Sequence, residues 1–393
     1  MTTTVSQADE YSVVPAGATE FFSSRHAWNM LAERVRYPSV FCGWDWTATW
    51  WEHYGAGREL RLLMIYSHGE LKGILPLFLQ KQLPGRNTRI GRVLGYCTAA
   101  DLYPDPLDIV CADTDAEPCI KAVLTYLQRS NRDWDVLHLR YLTEDGHLLR
   151  SLGDASGYRL RIEQVSAAPY IQISGSYDGY LGKLSANERS NIRRRRRKLL
   201  EGQGAEYTDF RSDDAHQVLR TLFELHEKRA AEKGIDSSFA RADVLAFHRD
   251  LLSRLDRDRL WLRGLRKNNE TIAVYYGYLA GHRVSYYQLG YDPRWADFSP
   301  GSVLLQETIR EAFDGGLKEY NFLQGEEEFK FRWTQQVRPL YAVDLFNGSL
   351  CGHLSWSLTA AKHLLKSLKK RAAAVKFTNS RMNCRPCGRE ILA

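Results

Sequence analysis

Residues 291–333 read YDPRWADFSPGSVLLQETIREAFDGGLKEYNFLQGEEEFKFRW, and this stretch decides how the second half of the chain folds. Ser299 is a preferred helix N-cap, and Pro300 suits the first helical position because its φ is preset and its missing amide hydrogen would have had no partner there. Gly315-Gly316 closes the far end, since glycine enters the left-handed conformation at no steric cost. Leu305, Ile309 and Ala312 share one face between these signals. The pattern predicts a helix over 299–314, a strand over 319–323, a short helical stretch around 327–333 and a strand over 340–346.

Upstream, three apolar runs (260–266, 271–280 and 283–291) read as strands joined by the turns Lys267-Asn268-Asn269-Glu270 and Gly281-His282. Before them, Ser185-Ala186-Asn187-Glu188 has the form of a capping box and predicts a helix over 186–201, stopped by Gly202. Helices over 214–233 and 242–255 follow, and 170–174 reads as a strand. The first half has the same order. Trp44, Trp46, Trp50, Trp51 and Tyr54 recur at helical spacing, strands over 60–66 and 71–80 flank Ser67-His68-Gly69-Glu70, and strands over 92–96 and 107–110 precede a helix over 115–129 and a strand over 134–140. Both halves read helix, hairpin, strand, helix, strand. Antiparallel strands followed by one β-α-β crossover give an α+β fold.

The 393 residues are 44% apolar and 26% charged, which is ordinary for globular domains. The net charge of +7 is local. Residues 187–200 hold seven basic side chains and one acid, and residues 359–376 hold six and none, so local anionic partners are expected rather than a nucleic-acid footprint over the whole surface. The seven cysteines are scattered and odd in number, as suits reduced thiols in a cytoplasmic protein. Residues 1–10 lack the basic and apolar regions of a signal peptide, and no run of about 18 apolar residues predicts a spanning helix. Cys384-x-x-Cys387 stands alone where a structural zinc needs four ligands, so no metal is expected.

The 291–333 stretch resembles the signature region of the CelD/BcsL-type (cellulose-biosynthesis) acetyltransferases of the GNAT superfamily. The resemblance rests on Tyr-Asp-Pro, Ser-Pro-Gly before a Leu-rich helix, and Asn-Phe-Leu-x-Gly-x-Glu-x-Phe-Lys, in that order. FCGWDWTATWWEHYG near the N-terminus and LSANERSNIRRRRRKLL are similar to further blocks of that family, and the resemblance covers about residues 37–348. It implies tandem GNAT-like domains, each a mixed, mostly antiparallel sheet flanked by helices, and kinship with Fem-type aminoacyl transferases. On this reading 1–34 is a leader, 35–168 a degenerate GNAT-like domain, 169–350 the acyltransferase domain and 351–393 a basic tail. The implied activity moves an acyl group, acetyl first, from acyl-CoA to an amine or hydroxyl of a polysaccharide or cell-envelope precursor. The alternatives are a Fem-like transferase using charged tRNA, or a non-catalytic accessory or scaffold of exopolysaccharide synthesis bound to the inner membrane face or to a synthase by its basic tail. Many acetyl-CoA-binding GNAT domains carry Gln/Arg-x-x-Gly-x-Gly/Ala, where this sequence has Ser299-Pro300-Gly301-Ser302.

Candidate residues follow from the chemistry of acyl transfer, which needs a base for the acceptor, donors for the thioester carbonyl and an acid for the leaving thiolate. The helix start at Ser299, Gly301, Ser302 and Val303 would hold the donor's pyrophosphate. Gln288, Leu289 and Gly290 would present backbone groups to the thioester. Glu327 is the chosen base, with Lys330 three residues on to steady the oxyanion or orient the acceptor. Tyr287 is the chosen acid, with Tyr286 beside it as a further candidate. Arg189, Arg193, Arg196, Arg197 and Tyr291 are expected to bind the acceptor, because arginine forks onto phosphate and carboxylate. An ordinary capped helix, strand aromatics and a solvated arginine face would explain the same residues without function. His226, His248 and His282 have no partnering motif, and Asp101, Tyr103 and Asp105 sit in a loop expected to face an interdomain cleft.

Overall fold

A computed structural model describes residues 11–83, 88–99, 102, 104, 106–130, 133–153, 157–234, 239 and 241–382, with backbone alone at 233, 366, 367 and 369–382. Asp101, Tyr103, Asp105, Cys384 and Cys387 lie outside the described residues. The first half comprises β1 (Tyr11–Ala16), α1 (Ala18–Ser23), α2 (Arg25–Ala32), α3 (Trp44–Tyr54), β2 (Glu59–Ser67), β3 (Glu70–Gln82), β4 (Gly91–Tyr96), β5 (Val110–Cys111), α4 (Ala116–Arg129), β6 (Val136–Thr143), α5 (His147–Leu152) and β7 (Arg159–Gln172). The second comprises α6 (Tyr177–Lys183), α7 (Ala186–Arg196), β8 (Glu206–Asp209), α8 (Ala215–Lys233), α9 (Ala242–Leu252), β9 (Leu260–Lys267), β10 (Glu270–Ala280), β11 (Arg283–Tyr291), α10 (Pro300–Asp314), β12 (Glu319–Asn321), β13 (Val337–Phe346) and α11 (Leu350–Met382).

The strands form one continuous sheet in the order β1-β2-β3-β4-β6-β13-β7-β12-β11-β10-β9-β8, with β5 against β3. Pairing is antiparallel except at β4/β6 and β11/β12, the two places where a helix (α4, then α10) connects parallel neighbours. Each half is therefore a mixed, mostly antiparallel sheet flanked by helices, the α+β pattern that the helix and hairpin signals imply. Two elements cross between the halves. β13 lies between β6 and β7, and the end of the long β7 pairs with β12.

Several elements differ from their sequence signals. Residues 11–32, read as leader, form β1, the edge strand beside β2, and two helices whose Phe21 and Trp28 are buried. The helix expected over 186–201 ends at Arg196 and finishes in a wider turn over Arg197–Glu201. β12 stops at Asn321 rather than 323, and the helical stretch expected at 327–333 is only a 3-10 turn over Lys330–Arg332. Leu350–Met382, within the stretch read as tail, is a long helix.

The halves meet through an aromatic seam. Trp46 of α3 packs on Phe247 of α9 at 5.0 Å and on Tyr278 and Tyr287 at 5.8 and 5.9 Å between ring centroids. Each such fully buried ring contributes about 2–3 kcal/mol. A polar latch completes the joint. The Arg338 guanidinium lies between the rings of Tyr37 and Tyr170, and its Nη2 donates to Glu319 at 2.8 Å, a carboxylate that is itself buried. Beneath α10, Val303, Leu304, Ile309 and Ala312 join Tyr275, Val284 and Tyr320 in a second core.

Candidate active site

The site begins where β11 and β12 part. They pair only over Arg283–Ser285 and Glu319–Asn321. Local sequence forces the separation: the Asn321 side chain accepts the Leu323 amide at 2.8 Å, Leu323 adopts φ 56°, and Gly325 adopts φ 112°, so the chain turns away at once. Beyond Ser285 the β12-facing edge of β11 has no strand partner among the described residues, and its backbone groups face the opening. β11 also bulges there. Tyr276 pairs with Gln288 but Gly277 pairs with Tyr286, which leaves Tyr287 as the extra residue.

The opening leads to a cavity of about 220 Å³. Tyr286, Leu289 and Tyr291 of β11 line one side, and Gly301, Ser302 and Leu305 of α10 the next. Phe329, Arg332 and Trp333 close the far wall, while Glu188, Ile192 and Arg195 of α7 and Arg229 of α8 cover it. Three guanidinium groups against one carboxylate make the lining cationic. The Arg229 guanidinium sits 5.2 Å from the Tyr291 ring centroid.

The start of α10 is built to receive an anion. Ser299 adopts the left-handed conformation (φ 52°), and its hydroxyl does not cap the helix. Its carbonyl does so instead, accepting the Ser302 and Val303 amides at 3.0 and 3.1 Å. Pro300 has no amide hydrogen, the first turn holds no acid, and among the described residues the Gly301 amide has no acceptor. A side chain at Gly301 would come within 3.2 Å of Leu289 and Tyr291, so glycine keeps the helix start open against β11.

The structure brings Leu289, Tyr291, Gly301 and Ser302 of the expected residues together on this cavity, with Ser299 at its helix cap. Val303 is buried beneath the helix and offers only its backbone. Gly290 turns to the other face, where an added Cβ would meet Leu222, Leu225 and His226 of α8, and Gln288, two residues before it, shares that face. Tyr287 is on that opposite face as well, packed against Trp46, His248, Tyr276 and Tyr278, because the bulge shifts the alternation. Tyr286 takes its place in the cavity. Burial, and then the nearby Glu327 carboxylate, push the Tyr286 phenol upward, so it keeps its proton at neutral pH.

Glu326, Glu327 and Glu328 are all exposed. Glu327 reaches Lys330 Nζ at 2.9 Å. Lys330 itself is buried, and its Nζ donates to the carbonyls of Leu323, Gln324 and Gly325 at 3.3, 2.7 and 3.4 Å. Its ammonium is committed to holding the turn that separates β12 from β11, so it positions the loop rather than facing a ligand.

The arginine helix is oriented by its one buried apolar residue, Ile192. Residues three or four away from Ile192, namely Glu188, Arg189, Arg195 and Arg196, share its side and are half-buried. Arg195 reaches the cavity, while Arg196 donates to the buried Glu307 of α10 at 2.9 Å. Arg189 donates to the carbonyls of Gly182 and Leu184 at the end of α6, and Arg193 and Arg197 are exposed. Of the expected acceptor arginines none lines the cavity. Arg195, Arg229, Arg332 and Trp333 do, and Ile192 was the signal that would have singled out Arg195.

Residues 186–331 match the model of an acetyltransferase (GNAT) domain. This segment is a GNAT acetyltransferase domain. The chain thus carries an acyltransferase unit, and the open β11 edge, the start of α10 and the cavity lining other than Arg332 and Trp333 lie within it. No curated protein matches the sequence. Among solved structures, FemX shares the fold with a TM-score of 0.59 at 11% identity, over 81% of this chain and 95% of that one. The C-terminal domain of a putative lysylphosphatidylglycerol synthetase from Agrobacterium fabrum gives 0.54 at 12%, over 88% and 97%. L-PGS from Bacillus licheniformis gives 0.50 at 11%, over 82% and 96%. Among the described residues, no cluster of three or more His, Cys, Asp or Glu able to hold a metal occurs, and no helix is long and apolar enough to cross a membrane.

Proposed function

We propose that the GNAT domain transfers an acyl group from acyl-CoA to an amine or hydroxyl of a polysaccharide or cell-envelope precursor, as the CelD/BcsL resemblance implies. The observation that carries this reading is the continuity of one cationic cavity from the acid-free start of α10 to the open edge of β11. The diphosphate of the donor sits at Gly301 and Ser302, where the helix dipole and the amides favour anions, with Arg195 and Arg229 nearby. The thioester then lies along β11, whose unpaired backbone amides polarise its carbonyl. The acceptor nitrogen or oxygen attacks that carbonyl and gives its proton to Glu327, directly or through water. Collapse of the tetrahedral intermediate breaks the carbon–sulfur bond, and the thiolate takes the Tyr286 proton.

In this reading residues 35–168 form a half without donor binding that shapes the acceptor side, residues 169–350 carry the reaction, and 351–393 is an appendage. A titration of acetyl-CoA followed by calorimetry tests it, with Arg229→Gln as the cavity variant. Binding to the wild-type chain that weakens at least about tenfold in the variant supports the reading. No heat with acetyl-CoA overturns it.

A second reading has its own observation. Arg193 and Arg194 of α7 and Arg197 just after it are exposed, and the fold is shared with FemX. An aminoacyl-tRNA donor would use that basic face. Retardation of charged tRNA by the chain, lost in an Arg193→Gln/Arg194→Gln/Arg197→Gln variant, would favour it over the acyl-CoA reading.

A further inference from the structure

We infer that α11 is a docking face for an anionic lipid surface, independently of the donor and acceptor of the GNAT domain. The helix packs in an inverted way. Toward the body it turns small and polar residues: Ser355 and Thr359 are buried, and the Ser355 hydroxyl bonds both the amide and the carbonyl of Ile90. A side chain at Gly352 would collide with the Asn347 carbonyl. Trp356 packs on Phe346 at 5.5 Å, and His363 Nε2 contacts Glu163 at 3.0 Å. Its leucines point the other way. Leu350, Leu354, Leu358, Leu365 and Leu368 are 83%, 54%, 43%, 59% and 49% exposed.

Their steps of four, four, seven and three residues place all five on a single stripe along the helix. A helix that packs on a protein core ordinarily buries its leucines, so a leucine stripe facing outward is a contact surface in want of a partner. The charge around it says which one. Residues 359–376 of the same helix contain Lys362, Lys366, Lys369, Lys370, Arg371 and Lys376 and no acid. An apolar stripe that begins at Leu350 and runs on into a uniformly basic segment fits a surface that is apolar beneath and anionic above, which describes phosphatidylglycerol or phosphatidylserine membranes. The helix is too charged to cross the bilayer, so it lies in the interface with its leucines in the acyl boundary.

The test is co-sedimentation of the full chain with vesicles of equimolar phosphatidylglycerol and phosphatidylcholine, against vesicles of phosphatidylcholine alone. Binding to the anionic vesicles that falls steeply with added salt is expected. A Leu354→Gln/Leu358→Gln/Leu365→Gln variant should bind at least about tenfold more weakly, because each substitution removes apolar area from the acyl boundary. Glutamine keeps nearly the helix propensity of leucine, and the positions are exposed, so circular dichroism should be unchanged. A Lys362→Gln/Lys366→Gln/Lys369→Gln variant, which leaves the stripe intact, should lose the preference for anionic vesicles. No sedimentation with anionic vesicles, or equal sedimentation of both variants and the wild type, overturns the proposal. So does a wild-type dimer in sedimentation velocity that the leucine variant abolishes without any vesicle binding, since the stripe would then serve a second copy of the chain.

Discussion

The two halves contain the same connection, a strand, a helix and a parallel strand, yet they treat the helix start in opposite ways. Before and within the first turn of α4 stand Asp113, Asp115 and Glu117, of which Asp115 accepts the Tyr11 hydroxyl and Asp113 faces His147. Its dipole is already answered by carboxylates of the chain itself. The first turn of α10 contains no acid and opens on a cationic cavity. Duplicated topology therefore does not duplicate chemistry. A helix start becomes an anion site only when its neighbours leave its positive end unanswered.

The largest expected effect concerns the two faces of the β11 bulge. Tyr286→Phe should lower the rate of acyl transfer about a hundredfold, the scale of a lost general acid, while Tyr287→Phe, on the opposite face, should change it less than about twofold. Equal losses in steady-state kinetics would erase the distinction between the faces. Next, Ser302→Asp makes the start of α10 resemble that of α4. Acetyl-CoA should bind roughly thirtyfold more weakly by calorimetry, about 2 kcal/mol, while the melting temperature stays level or rises, because an acid suits a helix N-terminus. A parallel loss of stability would mean that the substitution damaged the fold rather than the anion site.

A third expectation concerns the seam between the halves. Burial holds His248 at about 3 and His226 at about 4, below the ordinary imidazole value, so both stay neutral when folded. The unfolded chain protonates them below about pH 6.5 and so binds more protons than the folded one. Stability should fall as the pH drops from about 6.5 toward 4. His248→Phe, which leaves the Tyr276–Tyr278 hydroxyl bond at 2.7 Å in place, should make that decline shallower in pH-dependent thermal melts. The smallest effect belongs to the first half. Glu117→Gln should cost at most about 1 kcal/mol of stability and leave acetyl-CoA binding unchanged, as expected if the donor binds at α10 alone.

The strands over 260–291, α8 with its Asp214 cap and left-handed Gly234, and the extent of α10 were legible in the chain because their signals are local: turn residues, caps and a regular apolar period. Of the residues expected at the site, Leu289, Tyr291, Gly301 and Ser302 line one cavity. Local signals do not say which way a side chain faces once a strand bulges or a helix docks. Tyr286 and Tyr287 are equivalent in the sequence, and one unpaired residue in β11 separates them. Five consecutive arginines are equivalent too, until Ile192 finds the core and selects Arg195. Lys330 reads as a free cation beside an acid, and only the turn at Leu323 and Gly325 commits it to three carbonyls. The sequence by itself determined the elements with strong local signals, their order and the capped start of α10, because those depend on neighbours a few residues away. Tertiary structure alone decided the placement of β13 between β6 and β7, the parting of β11 from β12 and the face of every side chain at the cavity, because those depend on contacts between residues far apart in the chain.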